Sequence, residues 1–175
     1  MAEAPPLVDM NVEDPRWDAL DLEGLAERAA RAAVASQGLD PAACEISLLA
    51  AGDARIAELN AAYRARTGPT NVLSWPAAEV PLAPGEPRFL GDLALAWETC
   101  AAEAAAAGVA PADHVTHLVV HGVLHLLGHD HEDDAEAEAM EATETKVLAS
   151  LGVADPYSRQ EAPLGRRNGP APDGR

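Results

Sequence analysis

Apolar positions along the chain follow two different periods, and the alternation between them predicts interleaved strands and helices. Leu7 to Val12 reads as a short strand. Leu22, Leu25, Ala29 and Ala33 then recur at helical spacing and predict a helix from about Leu22 to Ser36, ended by Gly38. Cys44 to Ala50 alternates as a strand does, and Asp53 stands where a capping residue would open a helix running to about Arg64. Asn71 to Trp75 is a brief strand stopped by Pro76, and the Pro-rich stretch from Pro76 to Arg88 reads as a loop. Gly91 to Trp97 is a further strand, flowing into an Ala-rich helix from about Glu98 to Ala107 that Gly108 and Pro111 punctuate. A helix over Ala112 to Leu127 stops at Gly128. The last helix begins near Asp133 or Asp134, with Met140, Val147, Leu148 and Leu151 as its apolar stripe.

Short strands among longer helices predict an α+β fold: a single compact domain with a small, mostly parallel sheet of about four strands packed with about five helices. The domain is expected over residues 1–154. The Pro- and Gly-rich stretch over 155–175 lacks apolar periodicity and reads as a flexible tail.

Composition narrows the picture. With 175 residues, 48% of them hydrophobic, the chain can fold around one core without disulfide staples. Cys44 and Cys100 are far apart and read as reduced, small hydrophobes. No apolar run approaches the roughly 20 residues of a membrane helix, and the first residues lack the pattern of a secretion signal, so the expected location is cytoplasmic. A formal net charge of -17 argues against broad binding to a polyanion and is explained most simply by solubility. Arg55, Arg64, Arg66 and Arg88 nevertheless share one central stretch, which leaves room for a local positive groove.

The chemistry concentrates in one place. All six histidines, His114, His117, His121, His125, His129 and His131, fall within 18 residues. On a helix at about 100° per residue the first four share a stripe of roughly 80°. His121 and His125 are one turn apart, a separation at which two imidazoles can converge on one tetrahedral ion. Gly128 can turn the chain in the left-handed conformation and bring His131 back as third ligand. Three protein ligands leave a fourth position for water, as in catalytic zinc sites, and this metal site would sit on a helix of the C-terminal half. Taken singly, His114, His117 and His129 read as ordinary surface or core residues. His117 is also placed for a supporting or substrate contact, and Asp130 for accepting the distal N–H of a ligand histidine. Gly122 occupies the position after the first histidine where zinc peptidases of the HExxH kind carry their glutamate base.

The run HGVLHLLGHDH, residues 121–131, closely resembles the signature of the YbeY family of bacterial metal-dependent endoribonucleases. LNAAYRARTGPTNVLSWP, residues 59–76, resembles that family's second motif, and LGDLAL, residues 90–95, its third. The resemblance implies a compact α+β fold, zinc held by His121, His125 and His131, and an essential arginine facing the metal at Arg64. It further implies single-strand-specific cleavage in 16S rRNA 3′-end maturation and ribosome quality control. An arginine fork suits that task because it grips a phosphate at two points; on the residues alone, Arg64 is more simply a cation at a helix C-terminus. His129 stands where the family often has tyrosine, which adds a candidate competing ligand, and Thr67 and Gly68 replace a usual charged pair.

The expectation is therefore one zinc ion per chain, with other divalent metals able to use the same imidazoles. It would act on rRNA in a cleft between the 112–127 helix and the sheet, with the ribosome or a small-subunit-associated protein supplying affinity that the acidic body does not. Two rival readings use the same residues: a zinc-dependent peptidase or amide hydrolase, and a non-catalytic zinc-binding module.

Overall fold

The computed structural model describes residues 6–64, 68–129 and 133–157, the side chain of Arg64 excepted. Among the described residues nine regular elements follow one another: β1 (Val8–Val12), α1 (Leu22–Ser36), β2 (Cys44–Ala51), α2 (Asp53–Arg64), β3 (Val72–Pro76), β4 (Arg88–Ala96), α3 (Trp97–Ala107), α4 (Pro111–Leu126) and α5 (Asp134–Ser150). Short 3-10 turns at Pro15–Ala19 and Pro41–Ala43 lead into α1 and β2.

The four strands form one sheet in the order β1-β2-β4-β3. β1, β2 and β4 run parallel, with Met10 beside Leu48 and Leu48 beside Leu93, and β3 is antiparallel to β4, with Leu73 beside Ala94. The mixed α/β fold with five α-helices and a mostly parallel sheet is the one the apolar pattern predicts. β4 begins at Arg88 rather than Gly91, because Arg88 and Phe89 pair with Cys44 and Glu45 across a register shift. That pairing belongs to the partner strand and leaves no alternation in the loop-like sequence.

Side chains alternate across the pleat, so each face of the sheet has its own core. Ile46, Leu48, Ala50, Leu93, Leu95 and Val72 join the main cluster with the apolar sides of α1, α4 and α5. Ala51, Leu73, Ala94 and Ala96 form a smaller cluster with Ile56 of α2 on the opposite face. Cys44 and Cys100 are free, buried thiols, and burial raises the pKa of each, as suits inert core residues. Among the described residues no helix is long and apolar enough to cross a membrane.

Asp53 does open α2, but its carboxylate serves another helix. Asp53 Oδ1 accepts from Thr99 N–H at 3.0 Å, in the first turn of α3, while Glu98 Oε1 accepts from Asp53 N–H at 2.8 Å. The two helix starts cap one another, an arrangement that exists only once β2 and β4 lie side by side.

Helix α4 is the element that positions the chemistry. Pro111 opens it, where a missing N–H costs nothing, and Val119, Val120, Val123 and Leu124 are fully buried. Its close approach to the sheet depends on Gly122: a Cβ there would lie 2.8 Å from Leu93 Cδ2 and 3.6 Å from Val72 Cγ2.

Candidate metal centre

The histidine stripe of α4 lies beside the apolar side that meets the sheet. At Gly122 the helix backbone comes close against Leu93 and Val72 of the sheet. His114 instead turns to α3, and His117 and His121 turn to α5. The rings follow one another down the helix, with centroids 6.4 Å apart from His114 to His117 and again to His121, then 4.7 Å from His121 to His125. The closest pair is the pair expected to share a metal.

Helix α4 ends as the sequence requires. Gly128 has φ 101°, its N–H bonds the His125 carbonyl at 3.0 Å, and the His129 N–H bonds the Leu124 carbonyl at 3.0 Å. This pair of bonds is the left-handed helix stop that reverses the chain. His131, the third expected ligand, and Asp130 lie outside the described residues, as does the side chain of Arg64, whose backbone closes α2. Among the described residues no three potential ligands converge on one point.

Each of the other histidines has a protein partner. His114 Nε2 lies 2.9 Å from Glu103 Oε1, which also accepts from Asn71 Nδ2 at 2.9 Å. Asn71 Oδ1 in turn accepts from Val72 N–H, so Asn71 and His114 tie the start of β3 to α3 and α4. His129 Nε2 lies 2.6 Å from Gln37 Oε1 at the end of α1.

The group that sequence reading missed is Glu144 of α5. It is fully buried, with Oε2 2.6 Å from His121 Nδ1 and Oε1 2.9 Å from His117 Nε2. Tyr157, beyond the sequence-drawn boundary at residue 154, bonds the same Oε1 through its hydroxyl and stacks edge-on against His117. Burial pushes the Glu144 carboxyl upward, but the hydrogen bonds from His117 and His121 outweigh it and hold the group well below the usual carboxylate range. Burial, and then the Glu144 charge, raise the Tyr157 phenol, so Tyr157 stays protonated and donates. A signal was present in the sequence: Glu144 stands four residues from both Met140 and Leu148, inside the apolar stripe of its helix.

The donor set suits a metal. An ionised Glu144 requires the hydrogen of His121 on Nδ1, and a neutral imidazole with its hydrogen there presents the Nε2 lone pair to a cation. His125, one turn on, offers a second imidazole whose ring centroid lies 4.7 Å from that of His121.

Comparison with known proteins places the chain in a family. A family model described as Endoribonuclease YbeY matches residues 8–152. Endoribonuclease YbeY of Ruegeria pomeroyi is 53% identical over 166 residues, spanning 87% of this chain and 99% of its own. That of Dinoroseobacter shibae is 55% identical over 163 residues, spanning 86% and 90%. A solution structure of a Thermotoga maritima protein covers 95% of this chain and 99% of its own, with TM-score 0.56 and 20% identity, a likeness of fold alone.

Proposed function

This chain belongs to the YbeY endoribonuclease family, and from that premise we propose that it is a zinc-dependent, single-strand-specific endoribonuclease acting in 16S rRNA 3′-end maturation and ribosome quality control. His121, His125 and His131 would hold one zinc ion, which supplies Lewis-acid chemistry for phosphodiester cleavage. Arg64, at the end of α2, would grip the phosphate at two points and hold it for hydrolysis. The observation that carries the reading is the adjacency of the His121 and His125 rings, with His121 oriented through Nδ1 by a buried carboxylate.

Packing at Gly122 weighs against the peptidase alternative. In an HExxH site the general base follows the first histidine, and here that position points into Leu93 and Val72. The acidic chain, at a net charge of -17, has little long-range attraction for RNA, so recruitment by the ribosome or a small-subunit-associated protein in the cytoplasm completes the proposal.

The test combines metal analysis of purified protein with incubation of rRNA fragments with wild type, Arg64→Ala and a metal-stripped sample. Cleavage by wild type alone, with one zinc per chain, is expected. Equal cleavage by all three would point to a contaminating nuclease and overturn the assignment.

A further inference from the structure

Glu144 is an expensive residue where it stands. Its side chain is fully inaccessible, and among the described residues its partners are two imidazoles and a phenol rather than a lysine or arginine. Burying an ionised carboxylate costs several kcal/mol unless hydrogen bonds replace its water, and apolar residues in such a place are often as good or better for stability. The stripe of α5 would accept a leucine or methionine here, as it does at Met140 and Leu148. Stability alone gives no reason for a carboxylate.

The division of labour between its two oxygens does. Oε1 accepts from the Tyr157 hydroxyl and lies 2.9 Å from His117 Nε2, whereas Oε2 meets His121 Nδ1 at 2.6 Å. With Oε1 doubly occupied, the carboxylate cannot rotate without breaking two bonds, and Oε2 stays trained on one imidazole nitrogen. Tyr157 comes from the segment that follows α5, where Asp155 Oδ1 accepts its N–H at 2.8 Å and also faces Thr145 Oγ1 at 3.2 Å. Seating that segment therefore sets the orientation of a ring on α4.

We propose that Glu144 and Tyr157 form a positioning pair that fixes His121 as its Nδ1–H tautomer and aims Nε2 at the metal, so that the residues after α5 control metal affinity. The inference rests on the metal reading above. Glu144 is a positioning residue here, since it acts through His121. Tyr157 acts one step further out, by restraining Glu144.

The experiment uses the full chain and two near-isosteric variants, Glu144→Gln and Tyr157→Phe. Zinc affinity is measured by competition with a colorimetric chelator, and the His121 tautomer by long-range 15N–1H correlation in the metal-free protein. Glu144→Gln should weaken zinc about 10- to 100-fold and lose the pure Nδ1–H pattern. Tyr157→Phe, which keeps the ring against His117, should weaken zinc several-fold in the same direction. If Glu144→Gln does not fold, the Tyr157→Phe affinity decides alone. Zinc affinities within twofold of wild type with an unchanged tautomer overturn the positioning role, even if the melting temperature drops. A wild-type protein that takes up no zinc overturns the metal reading and this inference with it.

Discussion

His129 Nε2 and Gln37 Oε1 stand 2.6 Å apart, joining the turn after α4 to the C-terminal cap of α1 across 92 positions of sequence. The bond engages a histidine that sequence counted as a competing ligand, and it anchors the turn just ahead of His131.

Gln37→Ala should therefore loosen that turn. The loss is about 1 kcal/mol for one neutral hydrogen bond, seen as a lower urea midpoint. Amide exchange at Gly128 and His129 should quicken while the centre of α4 stays protected. Unchanged exchange there would show that the tether does not order the turn.

Replacing His125 by alanine should take zinc from one per chain to none, with the far-UV circular dichroism of the wild type retained. Chelation should lower the melting temperature without unfolding the chain, because the sheet core does not depend on the metal. Zinc at 100 times its dissociation constant adds only about 2.7 kcal/mol. Collapse of the fold on chelation would instead indicate a structural zinc module.

Gly122→Glu should be among the most damaging single changes. An unpaired carboxylate against Leu93 and Val72 is expected to cost at least about 3 kcal/mol. Gly122→Ala gains about 1 kcal/mol of helix propensity and loses about 1–3 kcal/mol to overpacking, so its net cost is about 0–2 kcal/mol, below that of Gly122→Glu. A Gly122→Glu protein with the wild-type urea midpoint would contradict the packing described.

A pH dependence follows from Glu27, whose carboxylate accepts from Leu7 N–H at 2.9 Å and Val8 N–H at 3.0 Å and pairs with Arg31. Burial pushes this carboxyl up, yet the two backbone donors and Arg31 together hold it below its ordinary value of 4.5. Its contribution is thus present above pH 4.5 and disappears as pH falls below that through the lowered value. The stability gap between wild type and Glu27→Gln should be widest near neutrality and shrink at about pH 3. A gap that grows on acidification would reverse the assignment.

Local features were read well from the chain because their causes are local. The 22–36 helix repeats its apolar residues on one face, and α4 stops at Gly128 because glycine tolerates φ 101°. The i and i+4 spacing of His121 and His125 puts them on neighbouring turns of one side of the helix, where their ring centroids lie 4.7 Å apart. Where sequence reading departed from the structure, a distant partner decided. Arg88 became strand by pairing with Cys44, and Asp53 caps α3 because β2 and β4 are neighbours.

The sequence by itself determined the succession of elements, the helix that carries the histidines and the turn that follows them, since hydrophobic period, helical pitch and glycine's freedom act within a few residues. Tertiary structure alone decided which side of α4 is closed by the sheet. It also decided that Glu144 is buried against His117 and His121, and that Tyr157 returns to hold it. Those contacts join residues 13 to 40 positions apart. A carboxylate's partner is set by which helices pack together, and that choice belongs to the whole core.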